Sequence, residues 1–480
     1  MLQDNKIEIN NAITSIEEDD DTQFSKSLGI FDAVAIISGS MIGSGIFIVS
    51  AETLRQIQSP VLLLIIWAIT GIMSIAGGLC FGELAVRFPE AGGQYVYLKK
   101  AWGNLVGFLY GWTFFLVIES GAIAAVSVAF AKFIGRVLPF ISTKHYLLHS
   151  NIINISYVQV LAIALIFLIT YINMQGVQWG ALVQKVFTST KIVALVAILI
   201  CGLTLGLNMD VIRHNFLEIP TFPTFHMNIF SAVAAALVGA LFAADSWNSG
   251  TFVAAEMKEP TKDLPKALFW GILAVVSLYF LTNVIYLSVL NVEQIKTAAE
   301  DIVGIALMKQ ILGTPGIIAT AIVIAISAFG AVNGMVLTGA RVYYAMAKDG
   351  LFFKGMAKLN HKTAVPQNAI IAQCIWASFL TLSGSFSQLL DYVIFAALFF
   401  YILTVGGLFI IRKKDSEPFD YKGSFYPFLP ALYCTLAGFT AVNLLIYKTE
   451  YSLYGLLIIL SGVPIYFFWR YKNRKKLSTK

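Results

Sequence analysis

The chain has 480 residues, of which 58% are hydrophobic and 12% charged, and its mean hydropathy is +0.77. This composition excludes an ordinary soluble domain, in which about 25% of residues are charged. The net charge of +6 does not indicate nucleic-acid binding, because the basic residues are scattered between apolar segments. Apolar runs of about 20 residues recur, each long enough to cross ~30 Å of hydrocarbon. The sequence therefore predicts an all-α polytopic membrane protein.

Twelve transmembrane helices are predicted in chain order. The spans cover residues 31–57, 61–86, 102–137, 156–175, 180–206, 227–255, 265–290, 315–345, 367–384, 389–411, 427–446 and 451–471. Residues 1–28 form an acidic tail without the basic start and short apolar core of a signal peptide. Residues 138–155 are predicted to be a loop.

The basic residues set the predicted orientation. Most of the 33 lysine and arginine residues fall on the side that carries both termini, including the basic tail 472–480. Because cytosolic segments are enriched in lysine and arginine, both termini are predicted to lie in the cytosol. Short loops and the absence of eukaryotic targeting features favour a prokaryotic inner membrane.

The first and sixth spans are interrupted by small and polar residues. The first contains "SGSMIGSGIF", Ser38 to Phe47, and the sixth contains "FAADSWNSG", Phe242 to Gly250, with Asp245 near mid-membrane. Small residues also serve close helix packing, which is the alternative explanation. Interrupted helices at corresponding positions of two halves nevertheless indicate a transporter site between inverted repeats.

The two interruptions predict complementary chemistry. If the first span unwinds at Gly43–Gly45, the following half-helix presents free N–H groups, which suit a carboxylate. The first half of the sixth span ends near Phe242–Ala244 and presents free carbonyls, which suit an ammonium group. Together they predict a site for an α-amino acid.

Five motifs carry a family resemblance. They are "GSMIGSGIF", "GELAVRFPEAGGQYVYLKKAWG", "NMQGVQWGALVQKVFTSTKIVAL", "FAADSWNSGTFVAAEMKEPTKDLPKAL" and "FGAVNGMVLTGARVYYAMAKDG". The chain resembles the amino acid–polyamine–organocation transporters, most of all their L-amino-acid-transporter branch. The resemblance implies the LeuT-type fold of five plus five inverted helices, with repeats at 29–206 and 227–411 and two additional helices at 427–471. It also implies secondary transport by alternating access.

The resemblance also implies the substrate site. Ile42, Gly43, Ser44 and Gly45 match the loop that binds the substrate carboxylate. Phe242, Ala243 and Asp245 match the unwound part of the sixth span, with Phe242 as the aromatic that closes over the substrate. Asp245 is also interpreted as stabilising the break. Ala244 and Ser246 depart from the tyrosine and glycine that the branch often has.

Lys191 lies about 11 residues into the fifth span, or ~16 Å along a helix. In the family, the matching lysine replaces a sodium ion and bridges the first and eighth spans, which predicts sodium-independent transport with Lys191 as the coupling residue. The alternative is a lysine that only pairs with a buried carbonyl or acid. Lys185, nearer the span's end, is predicted to reach the cytosolic interface.

Glu119, midway along the third span, has two equal interpretations. Its carboxylate can select a cationic or polar substrate or carry a proton, or it can form a structural pair with Lys191 or Asn333. Tyr286 and Asn333 match family positions near the cavity, although polar residues in spans often only join helices. Glu83, Glu256, Arg341 and Asp349 are predicted to form ion pairs near the cytosolic ends.

The leading functional prediction is a secondary amino acid transporter, either a sodium-independent exchanger or a proton-coupled symporter. A polyamine or organic-cation exchanger is the runner-up, and a transport-inactive amino-acid receptor is the alternative from another class. No enzyme motif, cofactor or metal site is predicted, since His145 and His149 lack a third ligand.

The expected partners are an amino acid, the lipid bilayer and possible protons, but no nucleic acid. Some family members join a heavy chain through a cysteine in the loop after the third span. Residues 138–155 contain no cysteine, so no disulfide-linked heavy chain is expected, and the chain is predicted to be a monomer or a non-covalent dimer.

Overall fold

The computed structural model describes residues 23–149, 154–222, 229–383, 386–414, 425–447 and 449–477. Most of these residues are helical. The predicted acidic tail lies outside the described residues as far as residue 22, as do the last three residues of the basic tail.

The helices follow the predicted spans closely. The first eight α-helices are α1 (Ile30–Met41), α2 (Gly45–Ile57), α3 (Pro60–Arg87), α4 (Gln94–Trp102), α5 (Asn104–Thr113), α6 (Glu119–Val137), α7 (Tyr157–Met174) and α8 (Val177–Cys201). The later ones are α9 (Met209–Arg213), α10 (Ile229–Ala243), α11 (Pro260–Val289), α12 (Val292–Lys296), α13 (Val303–Leu312), α14 (Thr314–Lys348), α15 (Gln367–Ser383), α16 (Phe386–Lys414), α17 (Phe428–Tyr447) and α18 (Thr449–Leu477).

Shorter elements lie between these helices. The π-helical segments are Phe114–Ile118, Gly202–Gly206 and His214–Glu218, and the 3-10 segments are Trp247–Glu256, Ala299–Asp301 and Lys354–Ala357. Strands β1 (Tyr146–His149) and β2 (Asn154–Ser156) pair antiparallel. The segment 138–155, predicted to be a loop, therefore contains most of a short hairpin.

The described residues contain ten helices that are long and apolar enough to cross a membrane, or eleven if α1 and α2 form one bent span. The remaining predicted span, 367–384, corresponds to α15, which has 17 residues. It ends at Ser383, the last described residue before 386. The structure confirms a polytopic helical membrane protein, whereas the count of twelve and the inverted repeats stay predictions.

Both predicted interruptions are present. Helices α1 and α2 are bent by 41° at residues 42–44, where Ile42 is extended. Helix α10 ends at Ala243, and the chain continues as the 3-10 segment Trp247–Glu256. The second half of the sixth span is thus more tightly wound than the predicted α-helix.

The broken first span lies at the centre of the bundle. Helix α1 packs against α8, α11 and α14, and its residues from Ile36 to Met41 are all buried. The interruption is therefore enclosed by protein rather than lipid, as an irregular backbone at membrane depth requires.

Ion pairs hold the ends that are predicted to be cytosolic, as expected for these residues. Arg341 forms a two-pronged pair with Glu256, at 2.9 and 3.0 Å, and both side chains are buried. Glu83 accepts hydrogen bonds from Arg87 and Arg412. Asp349 accepts hydrogen bonds from Tyr95 and Lys99 at 2.6 Å each.

Candidate functional site

A cavity lies where the two interrupted spans meet. Its walls come from α1, α2, α4, α5, α6, α10, α14 and α16 and from the π and 3-10 segments that adjoin them. The predicted site residues that line it are Gly43, Ser44, Gly45, Glu119, Phe242, Ala243 and Asp245. The structure thus brings most of the predicted site together.

The protein itself binds the carbonyl groups at the first break. The Lys191 ammonium donates hydrogen bonds of 2.7 Å to the carbonyl oxygens of Gly39 and Ile42. The Ser327 hydroxyl donates to the Ile42 carbonyl at 3.0 Å, and the Tyr279 hydroxyl to that of Met41 at 3.0 Å. Helices α8, α11 and α14 therefore complete the end of α1.

Some N–H groups on the other side of the break have no backbone partner among the described residues. Helix α2 begins at Gly45. The Phe47 N–H donates to the Ser44 carbonyl at 3.1 Å and the Gly43 N–H to that of Met41 at 2.9 Å, which leaves the N–H groups of Ser44, Gly45 and Ile46 without a carbonyl from a preceding turn. Within the described residues, the Ser44 side chain makes no capping hydrogen bond to them. Gly43, Ser44 and Gly45 line the cavity. This end of α2 therefore suits an anionic group.

The two breaks approach each other closely. A Cβ atom built on Gly45 would lie 2.7 Å from the Cβ atom of Ala243, whereas one built on Gly43 would meet nothing within 4 Å. Gly45 therefore lets the start of α2 pack against the end of α10. Among the last carbonyls of α10, those of Ala240 and Phe242 accept from the N–H groups of Ala244 and Asp245 at 3.1 and 3.2 Å. Those of Leu241 and Ala243 lack partners in a following α-turn within the described residues, and this end of α10 lies beside the start of α2.

Asp245 is held in place at the second break. The Tyr401 hydroxyl donates a 2.7 Å hydrogen bond to its carboxylate, and Tyr401 stacks on Trp247 with ring centroids 5.2 Å apart. The following residue, Ser246, has a φ angle of 68°. Glycine tolerates this left-handed conformation best, so the serine that replaces the branch's usual glycine adopts it at a steric cost.

Glu119 follows the π-helical segment Phe114–Ile118, and π-bulges are frequent at functional sites. Its side chain lines the cavity although the residue is only 7% exposed. Among the described residues, its carboxylate has no hydrogen-bond or ion-pair partner. The structural pair with Lys191 or Asn333 does not form, because Lys191 binds backbone carbonyls and Asn333 binds Gly180 and Gln184.

Four predicted residues are not among those that line the cavity. Ile42 and Lys191 lie behind the first break, where the Ile42 carbonyl accepts from the lysine. The Tyr286 hydroxyl donates to the Ile46 carbonyl at 3.3 Å. Asn333 donates to the Gly180 carbonyl at 3.0 Å and to Gln184 at 2.7 Å. Tyr286 and Asn333 thus have the geometry of contacts between helices.

Several residues in or beside the cavity lining were missed by the sequence analysis. Tyr401 binds Asp245, and Asn248 donates a 2.8 Å hydrogen bond to Gln94, which donates in turn to Thr404. Gln94 and Asn248 lie within quoted motifs, but Tyr401 and Thr404 belong to an apolar span without a motif. Only their distance in space to Asp245 and Gln94 marks them.

The chain is similar to known amino acid transporters. The family model described as amino acid permease matches residues 28–469. Large neutral amino acids transporter small subunit 2 of Mus musculus is 31% identical over 94% of this chain and 82% of its own length. The b(0,+)-type amino acid transporter 1 of Homo sapiens is 30% identical over 95% and 90%. Asc-type amino acid transporter 1 of Mus musculus is 29% identical over 94% and 82%.

The two glycines of the first break are expected to respond differently to alanine. Gly45→Ala forces its methyl group into Ala243, and overpacking of this kind costs about 1–3 kcal/mol. Gly43→Ala has room for its methyl group, but that group enters the cavity. We expect a lower melting temperature for Gly45→Ala alone, and for Gly43→Ala a loss of amino acid affinity of about tenfold, or ~1.4 kcal/mol.

Thermal unfolding and binding of a labelled amino acid to the purified protein measure the two effects. Equal melting temperatures for Gly45→Ala and the parent protein would contradict the close contact between α2 and α10.

Proposed function

The chain belongs to the amino acid permease family, and from this premise we propose that it moves L-amino acids across the membrane by exchange or with protons. Membership makes it a transporter rather than an enzyme. The observation that carries the proposal is the meeting of the two interrupted spans at one cavity. The N–H groups of α2 bind the substrate carboxylate there, and the last carbonyls of α10 bind its ammonium group.

In the proposed site, only some of the predicted site residues contact the substrate. Ser44, Gly45, Phe242 and Ala243 contact the backbone groups of the amino acid, and Asp245 acts through its bond with Tyr401. Lys191 supports the carboxylate site from behind, since its ammonium group lies on the far side of the Ile42 carbonyl. The proposed site needs no sodium ion, because the Lys191 ammonium group already binds the carbonyl groups at the first break.

The orientation of the termini, the membrane and the partner chain are part of the same proposal. The bias of lysine and arginine supports both termini in the cytosol and, with the short loops, a prokaryotic inner membrane. One relative's name describes it as a small subunit, and this conflicts with the expectation of a chain without a disulfide-linked heavy chain. That expectation rested on the lack of cysteine in residues 138–155 alone, which addresses only one position for a disulfide.

Uptake into proteoliposomes tests the proposed function. A panel of labelled amino acids is offered in sodium-free buffer to vesicles that are empty or preloaded with amino acids, with and without an inward proton gradient. We expect stereospecific uptake of L-amino acids. Uptake that needs preloading identifies an exchanger, and uptake into empty vesicles that rises with the gradient identifies a symporter. Transport of amines but of no amino acid would contradict the carboxylate site at α2.

Lys191→Met is expected to abolish transport. The substitution keeps an unbranched side chain but removes the charged donor from both carbonyls. The Ile42 carbonyl keeps the Ser327 hydroxyl, whereas the Gly39 carbonyl is left unpaired, and a buried group left unpaired costs about 1–3 kcal/mol. Lys185→Met is the matched control on α8, because the Lys185 side chain is 45% exposed and pairs with Asp32 at 2.9 Å. An exposed pair contributes about 1 kcal/mol or less.

The measurement is initial uptake rate in the same vesicles, with sodium or with choline as the external cation. We expect no uptake by Lys191→Met in either buffer and near-parental uptake by Lys185→Met. Equal rates for Lys191→Met and the parent would remove Lys191 from the mechanism.

A second candidate function is transport of cationic substrates, such as basic amino acids or polyamines. The observation that favours it is the carboxylate of Glu119, which lines the cavity without a partner among the described residues. A cationic side chain there would gain a charge-assisted hydrogen bond in a site of low dielectric constant.

Glu119→Gln separates the two candidates. If Glu119 binds a substrate cation, uptake of arginine or putrescine falls at least about tenfold, while uptake of alanine stays close to the parental rate. Glu119→Asp, which keeps the charge, is the control and should retain part of the cation uptake. Equal changes for arginine and alanine would assign Glu119 a role other than side-chain selection.

A further inference from the structure

Three buried amide side chains form a line of hydrogen bonds from α7 through α14 to α8. The Asn173 Nδ2 group donates to the Asn333 Oδ1 atom at 3.0 Å, and the Asn333 Nδ2 group donates to the Gln184 Oε1 atom at 2.7 Å. All three side chains are fully buried, and they are called the amide relay here. In both hydrogen bonds the nitrogen atom of one amide donates to the oxygen atom of the next, so the line has one direction.

The amide relay ends in an unused donor beside α1. Because the Gln184 oxygen atom accepts from Asn333, the other end of this amide, Nε2, is turned to α1. It lies so close to the backbone of α1 that a Cβ atom built on Gly39 would overlap it. Among the described residues, the Gln184 Nε2 group has no hydrogen-bond acceptor. A buried donor without an acceptor is costly, so this end of the relay is suited to a further hydrogen bond.

The Ser40 hydroxyl faces this donor across Gly334. A Cβ atom built on Gly334 would overlap the Ser40 Oγ atom and stand 3.2 Å from the Gln184 Nε2 atom. The two atoms form no direct hydrogen bond, and within the described part of the chain the Ser40 hydroxyl has no partner. A single water molecule that accepts from Gln184 and donates to Ser40 satisfies both groups. The relay thus reaches Ser40 through water, in a space that a side chain at Gly334 would fill.

Ser40 also belongs to the wall of the cavity between the two interrupted spans. It lines this cavity together with Gly43, Ser44 and Gly45, although it is only 6% exposed. Its lack of a partner does not by itself distinguish it, because the buried Ser127 hydroxyl on α6 has none either among the described residues. Ser127, however, is not one of the residues that line the cavity. Ser40 is therefore placed to bind a ligand, and Ser127 is not.

The direction of the relay decides which group Ser40 binds best. A hydroxyl oxygen that accepts a hydrogen bond keeps its own proton to donate, and hydrogen bonds in a chain strengthen one another. A carboxylate in the cavity accepts that proton, whereas an ammonium group would leave it unpaired. We propose that Ser40 is a further substrate-binding residue, whose hydroxyl donates to the substrate carboxylate and is positioned for this by the amide relay.

This inference rests on the proposed function, since the carboxylate is that of the amino acid bound at the start of α2. It adds a donor from the end of α1 to the N–H groups on the other side of the break, so the carboxylate is held from both sides. Gln184 and Asn333 act through Ser40 and are positioning residues. Asn333 then serves the substrate site from a distance, in addition to joining helices.

Ser40→Ala removes the hydroxyl, and Ser127→Ala is its matched control. The probe is the labelled L-amino acid that the parent takes up fastest in the panel described above, and its dissociation constant is measured on the purified protein. We expect Ser40→Ala to raise this constant at least about tenfold, as for a lost hydrogen bond to a charged group. Ser127→Ala should leave it unchanged. If Ser40→Ala does not fold, Ser40→Cys replaces it, because a thiol is a weak donor of similar size.

Gln184→Met tests the relay, because it removes the amide and keeps an unbranched side chain. We expect a dissociation constant raised about threefold, since Ser40 keeps its hydroxyl but loses the group that orients it. The double variant Ser40→Ala/Gln184→Met should bind as Ser40→Ala alone does, because the relay acts only through Ser40. Additive losses would overturn the role of the relay. If Gln184→Met does not fold, the comparison of Ser40→Ala with Ser127→Ala decides alone.

Two results would overturn the proposal while leaving the proposed function intact: an unchanged dissociation constant in Ser40→Ala, or equal losses in Ser40→Ala and Ser127→Ala. Competition by the primary amide of the same amino acid, which keeps the ammonium group but has no carboxylate, identifies the group that Ser40 binds. An equal loss of affinity for the acid and the amide would contradict the carboxylate. If the parent takes up no amino acid of the panel, the proposed function itself fails.

Discussion

The structure depends on how the carbonyl groups of a broken helix are bound at the centre of a membrane protein. An unpaired backbone carbonyl in an apolar environment costs roughly 2–7 kcal/mol, and a helix that stops at Met41 has several. One ammonium group, that of Lys191, binds two of them at 2.7 Å. The Ser327 hydroxyl lies within hydrogen-bond distance of the Ile42 and Gly43 carbonyls, and the Tyr279 hydroxyl donates to that of Met41. The break is therefore stable before any substrate arrives.

This arrangement makes the first break asymmetric. Its carbonyl side is filled by side chains of α8, α11 and α14, while its N–H side faces the cavity without a side-chain cap in the described residues. At the second break, the Tyr401 hydroxyl instead donates a hydrogen bond to the Asp245 carboxylate. The groups around the cavity thus comprise one cation behind the first break and two carboxyl groups, Glu119 and Asp245. An amino acid zwitterion leaves the net charge around the cavity unchanged. A cationic substrate instead supplies the positive partner that the Glu119 carboxylate lacks.

The sequence was sufficient to predict the breaks but not the walls of the cavity. Glycines and an acid inside apolar spans have few explanations, and the N–H and carbonyl chemistry follows from helix geometry alone. Asn333 and Tyr286 could not be separated from site residues, because a polar side chain in a span serves a ligand or another helix equally well. Tyr401 carried no local signal, since its role arises only from its distance to Asp245.

The two ends of the bundle are held by ion pairs that differ in strength. At the end predicted to be cytosolic, Arg341 and Glu256 are both buried, and breaking such a pair by removing one partner costs about 3–5 kcal/mol. At the opposite end, Arg55 and Asp301 are 35% and 44% exposed, and a pair of this kind contributes about 1 kcal/mol or less. The 3-10 segment that carries Glu256 is thus bound firmly to α14, whereas α2 is bound loosely at its outer end. We therefore expect the movements that open the cavity to part the outer pair first and to keep the segment Trp247–Glu256 together with α14.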